Sequence, residues 1–339
     1  MAKQKKKIKA LAMFSGGLDS IIAIKMIQEQ GIEVEALNFT SVFFPNEKAR
    51  DTARKLGIKL KIIDITGNKE YIKILKKPKY GHGVGINPCV DCKIFMLKEA
   101  KKIMIKEKFD FIITGEVLNE RPMSQTYDKL MLIEKESGLK DKLLRPLSAR
   151  LLPPIKIELQ GLVNRQELLS INGRSRKEQM GLALRYGITE YPTPAGGCIL
   201  CEKPLKDKLI DLFQNKKNDE IDYNELALLK VGRHFRINKI KIIVGRNKEE
   251  NEKITLLKKP GEFLLNVSDC GSPTTLIQSI KPSKKDIEIA AKLTAHYCDS
   301  KEKNIVVDYW NETNEKKKNK INIKIDEKEI GEILKNKIG

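Results

Sequence analysis

"MFSGGLDS" occupies residues 13–20, directly after the mostly apolar run Ile8-Lys9-Ala10-Leu11-Ala12 and directly before the helix pattern Ile21-Ile22-Ala23-Ile24. A plain turn needs one glycine, and this stretch carries two glycines and two serines. A buried strand, a Gly/Ser loop and a helix N-terminus in that order form an anion site. Loop and first-turn N–H groups point at one spot, and the helix dipole favours negative charge there. The loop lacks the lysine of a Walker A loop, and it is not a GxGxxG dinucleotide fingerprint.

The alternation continues beyond the loop. Strand-like runs at 8–14, 34–39, 60–65 and 111–114 are separated by helical patterns at 19–28, 47–56 and 94–106. Such alternation predicts right-handed crossovers and a parallel sheet covered on both faces. Ligands of these sheets bind at the carboxyl ends of the strands. Residues 15–20, Asn38-Phe39-Thr40 and Thr114-Gly115-Glu116 are therefore expected to converge on one crevice. A further helical region is expected at 175–186. The polar stretch "QNKKNDE" (214–220) reads as a linker, and the remainder reads α+β. The expected division is 1–215, an α/β domain with a Rossmann-like parallel sheet, and 222–339, a smaller α+β domain.

The chain has 339 residues, enough for two domains, with 40% hydrophobic and 32% charged residues, a soluble globular composition. No apolar run reaches membrane-span length. The basic start Met1-Ala2-Lys3-Gln4-Lys5-Lys6-Lys7 leads into a strand-like segment, not a signal-peptide core. The expectation is a cytoplasmic protein with no membrane partner. The formal net charge of +20 fits a polyanionic partner such as nucleic acid. A lysine-rich surface from compositional bias is the plainer account.

Two of the six cysteines' pairs share a spacing, Cys89-Val90-Asp91-Cys92 and Cys198-Ile199-Leu200-Cys201. In an α/β protein of this kind they point to metal, cluster or redox chemistry, not disulfide staples. Cys270 and Cys298 read as small buried hydrophobes. "KKPKYGHGVGINPCVDCK" (76–93) reads as a mobile Gly/Pro loop, and Cys92 falls near a helix start, where a lowered thiol pKa is expected. The second pair lies in the glycine-rich "YPTPAGGCILCEKP" (191–204).

Ser-Gly-Gly-Leu-Asp-Ser after a first strand resembles the SGGxDS loop of the PP-loop ATP pyrophosphatases, whose domain is adenine nucleotide alpha hydrolase-like. The resemblance implies that Ser15, Gly16, Gly17 and Ser20 contact ATP phosphates and that Asp19 holds Mg²⁺. It places Asn38 and Phe39 near the base, with Gly115 bordering the nucleotide. ATP is cleaved to AMP and diphosphate as the substrate is adenylated. "NPCVDC" (87–92) is similar to the Asn-Pro-x-x-x-Cys segment of the tRNA thiouridine synthetases, the tRNA-uridine sulfurtransferase branch, in which two catalytic cysteines match Cys92 and Cys198. The familiar two-cysteine enzymes have aspartate where this chain has Cys89. CxxC plus a remote cysteine resembles the iron–sulfur-dependent tRNA thiolases. That implies a [4Fe–4S] cluster on Cys89, Cys92 and Cys198, with Cys201 as a spare ligand or sulfur relay. The resemblance covers about 8–205.

The implied activity is ATP-dependent tRNA uridine thiolation, with free sulfide or a persulfide carrier as sulfur donor; a homodimer stays open. Two CxxC pairs also suit a closed Zn²⁺ site, and a metal-free persulfide route is a third arrangement. The rival functions are a PP-loop ligase or amidotransferase acting on a small metabolite, and a non-catalytic RNA-binding protein. His82 is a candidate proton shuttle, and Glu116 a metal- or base-positioning group. Arg121, Ser124, Gln125 and "GRSRK" (173–177) are candidate RNA or phosphate contacts. "GRHFRI" (232–237) and "KIIVGRNKEENEKI" (241–254) loosely resemble the RNA-binding domain of the NFACT proteins. There Arg233, His234, Arg236, Arg246 and Lys248 surround Phe235, a composition suited to backbone and stacking contacts with RNA. An ordinary strand with a buried Phe235 is the alternative.

Overall fold

Strand β1 (Lys9–Met13) runs through the glycine loop into helix α1 (Leu18–Glu29). The pattern repeats through β2 (Glu33–Thr40), α2 (Glu47–Lys55), β3 (Leu60–Asp64), α3 (Lys69–Lys76), α4 (Cys89–Lys106) and β4 (Phe111–Thr114). Helix α5 (Tyr127–Ser137), the two-residue strand β5 (Leu143–Leu144), a short helix α6 (Lys156–Leu159) and α7 (Lys177–Arg185) follow. The computed structural model describes residues 7–191, 198–311 and 318–339. The segment 192–197, with the glycines of the second cysteine loop, lies outside the described residues.

The first sheet has the order β3-β2-β1-β4-β5, and every pair in it is parallel. Ala10, Leu11, Ala12, Phe111, Ile112 and Ile113 are all buried, as strands covered on both faces require. Helix α1 is buried nearly all round, at Ile21, Ile22, Ala23, Ile24 and Ile27, because α7 lies against it as well as the sheet. From β1 the chain moves outward one way through β2 and β3, and the other way through β4 and β5. That reversal opens a crevice at the strands' carboxyl ends.

The chain divides into two compact units, Met1–Cys201 and Glu202–Gly339. The division falls before the polar stretch 214–220. Helix α8 (Lys203–Asn215) belongs to the second unit because its buried Lys208 donates to the carbonyls of Leu229 and Gly232, both at 3.2 Å. The rest of that unit is α9 (Tyr223–Leu228), β6 (Arg233–Ile237), β7 (Ile240–Val244), α10 (Lys248–Leu257), β8 (Phe263–Asn266), β9 (Thr275–Ile277), α11 (Lys284–His296), β10 (Asn304–Trp310), β11 (Asn319–Lys324), α12 (Glu327–Leu334) and β12 (Lys337–Ile338). Its sheet is antiparallel, in the order β11-β10-β8-β9-β7-β6-β12. The run "RHFRINKIKIIVG" is a hairpin of two strands, because Asn238 takes φ 54° and turns the chain.

Candidate active site

The phosphate-type loop is built on backbone that only glycine allows. Gly16 has φ 76°, and a Cβ there would stand 2.7 Å from Ala49 Cα at the start of α2. Gly17 caps α1 with no side chain of its own, and its N–H donates to Ser15 Oγ at 3.3 Å. Ser20 Oγ donates to Gly17 O at 2.8 Å, with Ser15 Oγ 3.4 Å from it. Gly115, just past β4, would put a Cβ 2.5 Å from Ser20 N and 2.6 Å from the Asp19 carbonyl carbon. The carboxyl end of β4 thus meets the N-terminus of α1 through a glycine. Asn38 Nδ2 ties the end of β2 to Phe14 O at 2.8 Å, and the Phe39 side chain is buried. The expected convergence of the strand ends holds.

Around Asp19 lie polar atoms without partners. Asp19 Oδ1, Arg176 Nε and both amide atoms of Gln179 are buried with no hydrogen bond. Arg176 is the N-cap of α7 and brings an Nη2 to 3.9 Å from Asp19 Oδ2; Gln179 is fully buried in that helix's first turn. Burial pushes the Asp19 carboxyl up, opposed by Arg176 first, then the nearby Gln179 amide and, more weakly, Arg121. Glu120 is pushed up too, by burial and then by Asp19. Buried polar groups are nearly always paired, so this cluster has the character of a ligand site. Arg121 is exposed, but Ser124 and Gln125, expected at the surface, are buried. They order the turn after β4: Ser124 N and Gln125 N both donate to Arg121 O.

Residues 77–88 are pinned, not a free loop. The Asp91 carboxylate accepts from Lys79 N at 2.8 Å and Tyr80 N at 3.0 Å. Asn87 Oδ1 accepts from Gly85 N at 3.1 Å, and its amide reaches Cys89 Sγ at 3.2 Å. The two cysteine segments touch backbone to backbone. Ile86 N donates to Leu200 O at 2.8 Å, and a Cβ on Gly85 would stand 2.3 Å from that oxygen and 2.5 Å from Cys201 Cα. Helix α4 starts at Cys89, so Cys89 and Cys92 both lie in its first turn.

Cys92, Cys89 and Cys198 influence one another electrostatically, as do Cys198 and Cys201. Burial foremost, then Cys198 and Cys89, pushes the Cys92 thiol up to about 12. The expected lowering at a helix start is overturned: withdrawal from water and neighbouring sulfurs outweigh the dipole. Among the described residues, no three His, Cys, Asp or Glu side chains surround one point as a single metal ion requires.

His82 is exposed and fixed to Leu75 O at 2.9 Å, which leaves it a structural tie. Glu116 is buried between Lys93 and Arg145, whose Nε lies 3.0 Å away. Burial alone would raise its pKa; Lys93 and Arg145 together hold it down at about 2. Sequence reasoning missed Asp91, Arg145 and Gln179. Asp91 was legible, since a carboxylate inside CVDC at a helix start has free loop N–H groups before it.

Residues 6–150 match the family model described as thiamine biosynthesis protein (ThiI). Residues 232–333 match the NFACT protein RNA binding domain. The chain is thus similar to ThiI over its first part and to the NFACT RNA-binding domain over its last. Over 146 residues it is 28% identical to a probable tRNA sulfurtransferase of Finegoldia magna, covering 42% of this chain and 36% of the relative. A probable tRNA sulfurtransferase of Thermococcus kodakarensis is 30% identical over 147 residues, 41% of this chain and 36% of its own length. The chain thus spans about a third of the length of these curated relatives. The solved structure titled U34-tRNA thiolase NcsA from Methanococcus maripaludis with its [4Fe-4S] cluster is 18% identical, with a TM-score of 0.29, covering 67% of this chain and 72% of that one.

In the segment that matches the NFACT model, two side chains offered as RNA contacts are inside. Phe235 and His234 are fully buried, and His234 Nε2 bonds Val231 O at 2.8 Å. Burial, then Lys241 and Lys208, pushes His234 well below the usual imidazole range, so it is neutral. Arg236 is paired with Asp211, and Arg246 with Glu250. Arg233 lies over the Tyr297 ring at 4.3 Å. Strand β6 is central, between β7 and β12, so its apolar side chain packs into the core and cannot stack on a base. Cys270 and Cys298 are half-buried neighbours, each packed against that core.

Proposed function

We propose that the first unit uses ATP to adenylate the carbonyl oxygen of a tRNA uridine and then replaces that oxygen with sulfur. Diphosphate leaves in the first step. In the second, hydrosulfide attacks the ring carbon, its proton passes to solvent, and AMP leaves with the oxygen. The observation that carries this reading is the backbone contact of two cysteine segments at Gly85, in the same unit as an intact SGGLDS loop. The tRNA sulfurtransferase names of the relatives support the substrate class, and the NFACT match supports RNA as the ligand of the second unit.

The residues fit the groups the reaction needs. Gly16 and Gly115 let the loop pack against the backbones of α2 and α1, and Asp19 Oδ1 is an unpartnered hard oxygen suited to Mg²⁺. Ser15, Gly17 and Ser20 complete the phosphate loop. Arg176 at the N-terminus of α7 faces the same carboxylate and would neutralise phosphate charge. Cys89, Cys92 and Cys198 supply soft sulfur donors, with Cys201 beside Cys198. A [4Fe–4S] cluster held by three thiolates would supply one iron with a position open to the sulfur donor.

Four single variants purified without oxygen test the reading, by iron, acid-labile sulfide and thiouridine formed from tRNA, ATP and sulfide. Cys89→Ala, Cys92→Ala and Cys198→Ala should each lose iron and thiolation together, while Cys201→Ala keeps most of both. Full iron in Cys89→Ala overturns the ligand set. A uniform loss of zinc affinity across all four variants indicates a closed zinc site instead.

A further inference from the structure

Helix α7 buries a polar residue and exposes apolar ones. Met180 is 51% exposed and Leu184 76%, while Gln179 is fully buried, with Ala183 as its one buried companion on the helix. Both atoms of the Gln179 amide lack a hydrogen-bond partner. A buried amide left unpaired is costly, so a residue kept there only for packing would be better served by leucine. The helix sets where the amide lies. Arg176, Gln179 and Ala183 follow one another at spacings of three and four, so they share one face of α7. Ala183 packs into the same core as Ile21 and Ile24 of α1, so that face is the one turned to α1. Helical side chains lean toward the N-terminus, which lays the Gln179 amide over the turn that Arg176 opens. There Arg176 Nη2 stands 3.9 Å from Asp19 Oδ2, in the first turn of α1.

The unpaired atoms at this place are of two kinds. Asp19 Oδ1 and Gln179 Oε1 accept, and Arg176 Nε and Gln179 Nε2 donate. Free acceptors suit a cation and free donors suit an anion, so the ligand that completes the set carries both. A divalent cation joined to a diphosphate group is such a ligand. Mg²⁺ takes few protein oxygens and fills the rest of its shell with phosphate and water, which suits two oxygens supplied by two helices. We propose that Gln179 is a second protein ligand of the cation held by Asp19. Its Oε1 binds the cation, and its Nε2 donates to an oxygen of the diphosphate group on that cation. The inference rests on the ATP reading above and adds a cation ligand that lies outside the SGGLDS loop.

Gln179→Leu and Gln179→Glu, made in the full chain, test this without turnover. The probes are Mn²⁺ alone, followed by the solution EPR signal of the free ion, and manganese diphosphate, followed by calorimetry. Gln179→Leu should hold or raise the Tm of the ligand-free protein, since it removes two unpaired buried atoms, and should weaken both probes about 10–100-fold. Gln179→Glu keeps a hard oxygen and loses the donor. It should bind Mn²⁺ at least as well as wild type and manganese diphosphate more weakly, a split that a packing role would not produce. Wild-type affinities in Gln179→Leu overturn the role of Gln179 and leave the ATP reading standing. Equal losses of both probes in Gln179→Glu and Gln179→Leu, with a lowered Tm, also overturn it and make the amide a structural partner of α1. A wild-type protein that binds neither ATP nor manganese diphosphate overturns the ATP reading and this inference with it.

Discussion

Two clusters of charge withdrawn from water, one in each unit, are satisfied differently. In the second, Asp211 takes two hydrogen bonds from Arg236, each 2.8 Å, and one from Lys241 at 2.9 Å. Lys208, pushed down to about 8 by burial first, still donates to two carbonyls. In the first unit, Asp19 Oδ1, Arg176 Nε and the Gln179 amide are buried and bonded to nothing. Paired buried charges hold a fold in one arrangement. Unpaired ones cost stability, and a fold carries them where a ligand completes the set. Cations alone therefore do not mark a functional surface; what they are already bonded to decides.

Substitutions can break that contrast. The largest effect is expected at Asp19. Asp19→Ala should lower ATP-dependent AMP release by at least about 10³-fold. Its Tm should hold or rise, because an unpaired buried carboxylate is removed. A large loss of Tm would make Asp19 structural and erase the difference between the units. Next is Glu116, a paired buried carboxylate within the first unit. Glu116→Gln leaves Lys93 without its carboxylate and Arg145 with Glu134 alone, and should cost about 3 kcal/mol in denaturant unfolding at pH 7. Its folded pKa, about 2, lies below the ordinary 4.5. The carboxylate's stabilisation is therefore complete above about pH 4.5 and is lost as pH falls toward 2. The gap between wild type and variant should close over that window.

Arg176→Ala sharpens the comparison on the ligand side. A loss of about 10–100-fold in kcat/KM for ATP, with unfolding unchanged, is expected for a cation facing phosphate. A loss of stability alone would mean that Asp19 was its true partner. The smallest effect belongs to Arg246→Ala in the second unit. Its exposed pair with Glu250 should be worth under about 1 kcal/mol, measured by the shift in urea midpoint.

Much of the first unit was legible because its demands are local. Two glycines and two serines between an apolar strand and an apolar helix leave few ways to run the backbone, and Gly16 takes the left-handed conformation that only a glycine adopts freely there. The spacing CVDC put both cysteines at one helix start. Misreadings came where a residue's fate depends on distant chain. Phe235 in "GRHFRI" looks the same in sequence on an edge strand as on one flanked on both sides, and only the neighbours β7 and β12 and the core they share put it inside. Residues 76–93 looked mobile from their glycines and prolines, because nothing local shows that Asp91 would reach back to Lys79 and Tyr80.

The sequence by itself determined the strand–loop–helix that opens the chain, the parallel alternation behind it and the chemistry available in four cysteines. Those follow from backbone permissiveness, side-chain period and donor type, which act over a few residues. Tertiary structure alone decided that the two cysteine segments touch at Gly85 and which cations are already paired. Burial and the company of distant side chains set hydrogen bonding and charge state, and neither is written in local spacing.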